Sequence, residues 1–370
     1  MSVSGASDTE VAPVAQAPKR ARPTVDIIVN NYNYDRYLRA AVQSALDQTY
    51  QSVSVIVVDD GSTDNSRETI AAFGDSIVPV LQENGGQASA FNAGLERSRG
   101  DVVVFLDADD LLSPTAAERI AETFRARPDL AKIHYRLSVI DDAGRLTGEI
   151  KPPPHIPLPH GDLRTAMTRF PFDLARPATS GNAFSATVLR RIAPLPTERP
   201  VGADWYIVCL APLHGPVGAI DEPLGSYRVH TGNWHAQLGT SLDLDHVRGV
   251  IARTQLARGY IERAAGQLGL PWDPRDASMC EIADRAISRK LDPTRHPVED
   301  DTLLALVVRG TRAARRRFDV GPPMRITFVI WLVLLAVSPR GLARRLAEAF
   351  VFPERRRALN SWLAGLHRRR

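Results

Sequence analysis

From Thr24 onward, short apolar runs alternate with amphipathic stretches. Val25 to Val29 is a compact, β-branched run between polar neighbours, the signature of a buried strand. Tyr37, Leu38, Ala41, Val42, Ala45 and Leu46 then recur in pairs every four residues, which places them on one face of a helix opened near Asp35. Val53 to Val58 is a second buried strand. It stops at Asp59-Asp60-Gly61, and Ser62-Thr63-Asp64 supplies N-cap candidates for a helix running to about Phe73. The alternation continues with a strand over Ile77 to Leu81, a Gly-containing loop over Glu83 to Gln87, and a helix over Ala88 to Ser98. An all-apolar strand over Val102 to Leu106 then leads into Asp107-Ala108-Asp109-Asp110, and Pro114 opens another helix. Near-continuous apolar strands separated by helices predict an α/β fold whose parallel sheet is covered on both faces. Such sheets bind ligands outside the carboxyl ends of their strands, where both acidic clusters fall.

The second half reads differently. A strand is expected from about Ala131 to Ile140, a turn at Asp142-Ala143-Gly144, and a stiff proline-rich connector over residues 151–159. A Gly/Asn-bearing segment follows from Thr179 to Phe184, then helices near Thr187 to Ile192 and Ala203 to Leu213, and a strand near Leu224 to Val229. From Leu244 to Leu268, Val247, Val250, Ile251, Tyr260, Ile261 and Ala264 mark one long amphipathic helix. The most apolar stretch, residues 324–339, falls short of the roughly 20 residues of a spanning helix. Flanked by arginines, it predicts a helix lying in a membrane interface, with a buried core helix as the plain alternative. The organisation that follows is a disordered tail over 1–23, a nucleotide-binding domain over 24–240, and a helical C-terminal region over 241–370.

Composition adds little to this and charge distribution adds more. With 44% hydrophobic and 24% charged residues, the 370-residue chain has ample means to build a core. A net charge of +4 does not point to nucleic acid, and none is expected as a partner. Arginines are dense over the last sixty residues, from Arg312 and Arg315-Arg316-Arg317 to Arg368-Arg369-Arg370, and suit an anionic lipid surface or another polyanion. Cys209 and Cys280, far apart and each in a helical stretch, make no disulfide framework and suit a reducing compartment. Met1 to Arg22 is Ala/Pro/Ser-rich with no apolar core, unlike a secretory signal. A cytoplasmic location, peripheral on the membrane, is the expectation.

Asp107, Asp109 and Asp110 lie within four positions directly after a buried strand. Carboxylates that close repel one another unless a cation holds them ionised. Oxygen ligands from few residues suit Mg²⁺ or Mn²⁺ shared with substrate phosphates. A solvated acidic loop would carry the same residues, but not characteristically at the end of a parallel strand. In the second cluster, Asp59 to Asp64, a carboxylate can accept the imide N–H of a uracil base; a strand-to-helix turn with its N-cap is the bland reading.

Ile27-Ile28-Val29-Asn30-Asn31-Tyr32-Asn33, Val58-Asp59-Asp60-Gly61-Ser62-Thr63-Asp64, Asn84-Gly85-Gly86 with Asn92-Ala93-Gly94, and Phe105-Leu106-Asp107-Ala108-Asp109-Asp110 occur in one order and spacing. Together, over about Thr24 to Asn233, they resemble family-2 glycosyltransferases of the GT-A fold. That resemblance implies a mostly parallel, Rossmann-like sheet flanked by helices and an inverting transfer of sugar from a nucleoside-diphosphate sugar, UDP-sugar foremost, with a divalent metal. It implies that Tyr32 stacks near the base, Asp60 binds the base edge, Asp107 contacts the ribose or metal, and Asp109 ligates the metal. Asn30, standing where the family usually has proline, and Gln87 join the donor-binding set. Gly202-Ala203-Asp204-Trp205-Tyr206 resembles the helix-opening motif whose carboxylate is the general base, so Asp204 is the expected catalytic residue; Ala203 stands where an acidic residue is common. Ser226-Tyr227-Arg228-Val229-His230 resembles the closing strand, with His230 at the metal or diphosphate.

The acceptor so implied is a saccharide or lipid-linked glycan of envelope polysaccharide synthesis. A sugar-1-phosphate nucleotidyltransferase would use a similar domain but needs a glycine-rich, basic loop after the first strand. Asn30-Asn31-Tyr32-Asn33 has neither glycine nor a basic residue until Arg36. A non-catalytic carbohydrate or membrane-surface binding protein would have no use for Asp60, Asp109 and Asp204 together.

Overall fold

The computed structural model describes residues 22–197, 202–232 and 242–352; most of the expected tail over 1–23 and the Arg368-Arg369-Arg370 run lie outside them. Three strand-helix repeats open the fold: β1 (Val25–Asn31), α1 (Asp35–Leu46), β2 (Val53–Asp60), α2 (Ser66–Ala71), β3 (Val78–Gln82), α3 (Gln87–Arg97) and then β4 (Val102–Asp107). These strands lie parallel in the order β3-β2-β1-β4. Their register sets Asn30 opposite Val58 on one side and Asp107 on the other, and Asn31 opposite Asp59. The polar ends of three strands thereby form one edge. The side chains of β1 alternate between the two layers: Ile27 and Val29 join α1 and Ile120 in one core, and Ile28 joins Phe91, Phe105 and Ile207 in the other.

Asp26, in the midst of the first apolar run, is buried because its carboxylate has a task. One oxygen accepts from Ser98 Oγ and from the Arg99 and Gly100 N–H groups, each at 2.7 Å, fixing the turn between α3 and β4. Helix α2 starts later than the capping residues suggest. The Asp64 carboxylate accepts the Ser66 N–H and also the Asp35 N–H that opens α1, so one side chain serves two helix starts. The helix after Pro114 also starts two residues late, at Ala116.

After β4 the sheet changes sense. The next elements are β5 (Leu111–Leu112), α4 (Ala116–Ala126), β6 (Lys132–Ile140), β7 (Leu146–Lys151), α5 (Arg164–Arg169), β8 (Asn182–Ser185), α6 (Ala186–Ile192), α7 (Ala203–Leu210) and β9 (Val217–Arg228). Strand β8 inserts antiparallel between β4 and β6, while β9 runs parallel to β6 and antiparallel to β5. The expected Gly/Asn segment thus contains a short strand, β7 is a hairpin partner of β6, and the last strand begins seven residues before Leu224. The proline-rich connector is held by one buried guanidinium: Arg136 donates to the carbonyls of Pro152, Pro153 and Ile156.

Five helices complete the chain: α8 (Leu244–Gln267), α9 (Met279–Leu291), α10 (Leu303–Arg316), α11 (Pro322–Val337) and α12 (Arg340–Val351). Helix α8 belongs to two cores. Its Val247 and Ile251 pack with α9 to α12, and its Ala257, Ile261 and Ala264 pack under the sheet with α6 and α7. Among the described residues no helix is long and apolar enough to cross a membrane. Part of the arginine-rich stretch is paired with carboxylates: the partly exposed Arg312 and Arg316 with Asp273 and Asp276, and the buried Arg317 with Asp173 and Asp319. Those three guanidiniums are paired while Arg315 stays exposed, so among the described residues this run is a free cationic surface only in part.

Candidate active site

A crevice of about 840 Å³ opens along the carboxyl ends of β1, β2 and β4. Its volume falls in the range of small-molecule and cofactor sites. Asn30, Tyr32, Asp60, Gln87, Asp107, Asp109 and Asp204 all line it. His230 stands behind, with Nε2 3.0 Å from Asp109 Oδ2 and its ring 5.0 Å from that of Tyr37.

Each strand end contributes differently. At the end of β1, Asn30 Nδ2 donates to Asp107 Oδ1 at 2.9 Å, while the buried Asn30 Oδ1 has no hydrogen-bond partner among the described residues. Tyr32, just beyond, is 45% exposed at the crevice wall. At the end of β2 the Asp60 carboxylate is filled by the loop that follows β3. Oδ1 accepts from Gln82 Nε2 and the Gly85 N–H, and Oδ2 from the Gly86 N–H and, at 3.3 Å, from Asn84 Nδ2. Gly61 makes this approach possible: its φ is +78°, and a Cβ there would meet the Asn84 backbone nitrogen at 2.5 Å. The Gly85-Gly86 loop is therefore tethered to β2, and it delivers Gln87 at the start of α3 to the crevice.

At the end of β4 the three aspartates part company. Asp110 turns away from the crevice, where its carboxylate accepts from Ser180 Oγ at 2.6 Å and the Arg228 N–H at 2.9 Å. It locks β9 against the β4 end, and burial with the charges of Asp109 and Asp107 pushes its pKa up. Asp107 and Asp109 face the crevice. Burial first, then the charge of Asp109, pushes the Asp107 carboxyl up to about 7, against the hydrogen bond from Asn30. Burial and the same aspartates push the Tyr34 hydroxyl up to about 12. The floor of the crevice is thus strongly electronegative.

Asp204 comes from the first turn of α7, with Oδ1 accepting the Trp205 N–H at 2.8 Å. Beside it stand His246, Val250 and Arg253 of α8, residues whose part in the crevice the sequence did not reveal. The signal was present but silent. Their spacing of four and seven puts them on one face of α8, yet only tertiary structure says that this face meets the crevice. Burial pulls the Arg253 guanidinium below its ordinary range while the charge of Asp204 opposes the shift. It is the one guanidinium among the described residues lining the crevice. Among the described residues, no group of three or more His, Cys, Asp or Glu side chains converges as a metal cage.

Comparison with known proteins agrees with this geometry. The profile described as glycosyl transferase family 2 matches residues 26–168. An uncharacterised glycosyltransferase of Nostoc is 36% identical over 216 residues, covering 57% of this chain and 66% of that protein. The putative glycosyltransferase EpsH of Bacillus subtilis is 30% identical over 131 residues, covering 35% of this chain and 38% of its own. The chain spans less than two thirds of the length of these relatives. Among solved structures, residues 1–349 of S. aureus TarS in complex with UDP superpose with a TM-score of 0.51 at 15% identity, covering 88% of this chain and 91% of that one. At that identity the likeness is one of fold.

Proposed function

Residues 26–168 are a family 2 glycosyltransferase domain on a GT-A fold, and on that premise we propose that the chain transfers a sugar from a nucleoside-diphosphate sugar, with inversion, to an acceptor hydroxyl. The observation that carries this is one crevice uniting the strand-end aspartates Asp60, Asp107 and Asp109 with Asp204 from a separate helix.

The donor is a UDP-sugar. Its base lies between Tyr32 and the tethered Gly85-Gly86 loop, with Gln87 beside it. An imide N–H would take the Asp60 oxygen now held by Asn84 at 3.3 Å, the longest of its four bonds. Asp107, steadied by Asn30, meets the ribose.

The residues fit a divalent cation, Mn²⁺ or Mg²⁺. Asp107 and Asp109 face the same crevice floor, where carboxylates that close repel and a cation relieves the repulsion. Asp109 and His230, 3.0 Å apart, would hold it, leaving its other positions to donor phosphates and water. When bound it would neutralise charge gathering on the departing diphosphate. Arg253 adds a fixed positive charge at the same crevice. Asp204 takes the proton of the acceptor hydroxyl as that oxygen attacks the anomeric carbon.

The acceptor is a saccharide or a lipid-linked glycan of the cell envelope, reached from the cytoplasmic face of the membrane. Residues 24–240 form the transferase unit, and the C-terminal region lends it one wall of the crevice.

The deciding experiment uses Asp204→Asn. The variant should bind UDP-sugar in Mn²⁺ as the parent does, read by thermal shift, while transfer falls by about 10²–10⁴-fold. Undiminished transfer removes Asp204 from the base role. Pyrophosphate released from a nucleoside triphosphate and a sugar phosphate would instead identify a nucleotidyltransferase.

A further inference from the structure

Helix α11 is apolar except for Arg325 and Thr327, and the described residues leave one of its sides uncovered. Phe328, Leu332 and Leu335 are buried in the core shared with α9, α10 and α12. Ile326, Ile330, Val333, Leu334 and Val337 stay exposed, from 39% at Val333 to 73% at Val337. Their spacings of three, four and seven put them in one stripe, about 17 Å long at the rise of an α-helix. A soluble protein seldom leaves such a stripe to water without a use for it.

The surrounding charge selects the occupant. Between Asp319 and Glu348 the sequence has four arginines, Arg325, Arg340, Arg344 and Arg345, and no acidic residue; of the four, Arg344 pairs with Glu348 at 3.4 Å. Arg340 is exposed at the corner where α11 turns into α12, and Leu342 and Arg345 are exposed in the first two turns of α12. Arg312, Arg316 and Arg317, by contrast, pair with aspartates. If a second copy of the chain covered the stripe by pairing α11 with α11, arginines would meet arginines with no carboxylate in the segment to compensate. An anionic lipid surface satisfies both features, apolar stripe into the acyl boundary and guanidiniums at the headgroups. At 16 residues, about 24 Å, α11 is too short to span the hydrocarbon core and is suited to lie along it.

We infer that the exposed stripe of α11, with Arg340, Leu342 and Arg345 following it in the chain, docks the protein on an anionic phospholipid bilayer, the helix lying in the plane of the interface. This deepens the membrane reading above and stands apart from the chemistry of the crevice, since none of these residues lines it.

The test is co-sedimentation of the full chain with vesicles of phosphatidylglycerol and phosphatidylcholine, and with phosphatidylcholine alone, with UDP-sugar hydrolysis followed in the same samples. The parent should bind the anionic vesicles, less tightly as salt rises. Ile330→Glu with Leu334→Glu should lower partitioning roughly tenfold or more. Arg340→Ala with Arg345→Ala, which leaves the apolar stripe whole, should remove most of the preference for anionic over neutral vesicles. Both pairs should keep the parent's thermal midpoint and donor hydrolysis. No binding by the parent, undiminished binding by the glutamate pair, or equal anionic preference in the arginine pair overturns the docking surface, as does a parent dimer that ignores vesicles and that the glutamate pair dissolves. Donor hydrolysis that survives such a result leaves the transferase reading intact; loss of hydrolysis by the parent with vesicle binding intact strikes the transferase reading alone.

Discussion

Single residues in this chain show how far identity is from role. Asp107, Asp109 and Asp110 are one acidic cluster in sequence, yet two face the crevice and the third buries itself against Ser180 and the Arg228 N–H. The acidic cluster marked the site; which carboxylates enter it depended on partners 70 and 118 residues away. Lys132 carries the same lesson on the other side of the sheet. At the start of β6 it looks like the solvated end of a strand, but it is fully buried, donating to Asn182 Oδ1 at 2.6 Å beside the Phe184 ring. Burial pulls its ammonium from the ordinary 10.5 down to about 7. The unfolded chain holds that proton up to the higher value and the folded chain releases it near the lower. Between the two the unfolded state binds more protons, so this residue makes stability rise with pH there and contributes no slope below. Urea unfolding of the parent and of Lys132→Met should therefore diverge between about pH 7 and about pH 10, the parent gaining on the variant. A constant difference across that range would mean that the lysine titrates normally.

At the scale of elements, the sheet-forming half was legible because its strands are short, mostly apolar runs and its helices are punctuated by polar loops. The later strands were harder. Strand β9 runs over twelve residues and contains Asp221, Glu222, Pro223 and Gly225, so no periodicity announces it. It is a strand because β6 and β5 pair with it. Helix α3 shows the opposite case, a local choice made for a tertiary reason. Gly94 weakens the helix, but a Cβ there would lie 2.5 Å from Ile28 Cγ2 and 3.3 Å from Val58 Cγ2. Helix propensity alone would make Gly94→Ala favourable by about 1 kcal/mol. Overpacking against two buried strands costs about 1–3 kcal/mol, and the clash should prevail. Net destabilisation in urea is expected, with weaker donor binding, because α3 carries Gln87 and Ala90 into the crevice. A stabilised variant would show that the helix can shift away from β1 without harm.

For the molecule as a whole, the C-terminal helices are built into the rest. The Asp173 carboxylate accepts the Met279 and Cys280 N–H groups at 2.7 and 2.9 Å, opening α9 from a residue more than a hundred positions earlier, and it also pairs with Arg317 at 2.7 Å. Asp173→Ala leaves two helix-start donors and a buried guanidinium short of a partner. It should cost about 2–4 kcal/mol, read as a lowered urea midpoint, and a change within about 0.5 kcal/mol would mean that other contacts hold these helices. The amino-acid sequence by itself determined the parallel half of the sheet, the acidic ends of its strands and the amphipathic length of α8, because burial on both faces and helical period are written in neighbouring residues. Only the tertiary structure decided that α8 turns His246 and Arg253 into the crevice, that part of the arginine run is paired with aspartates, and that α11 keeps one apolar side uncovered by the described residues. Each of these depends on which surfaces meet across long chain separations, and no local pattern of residues encodes that.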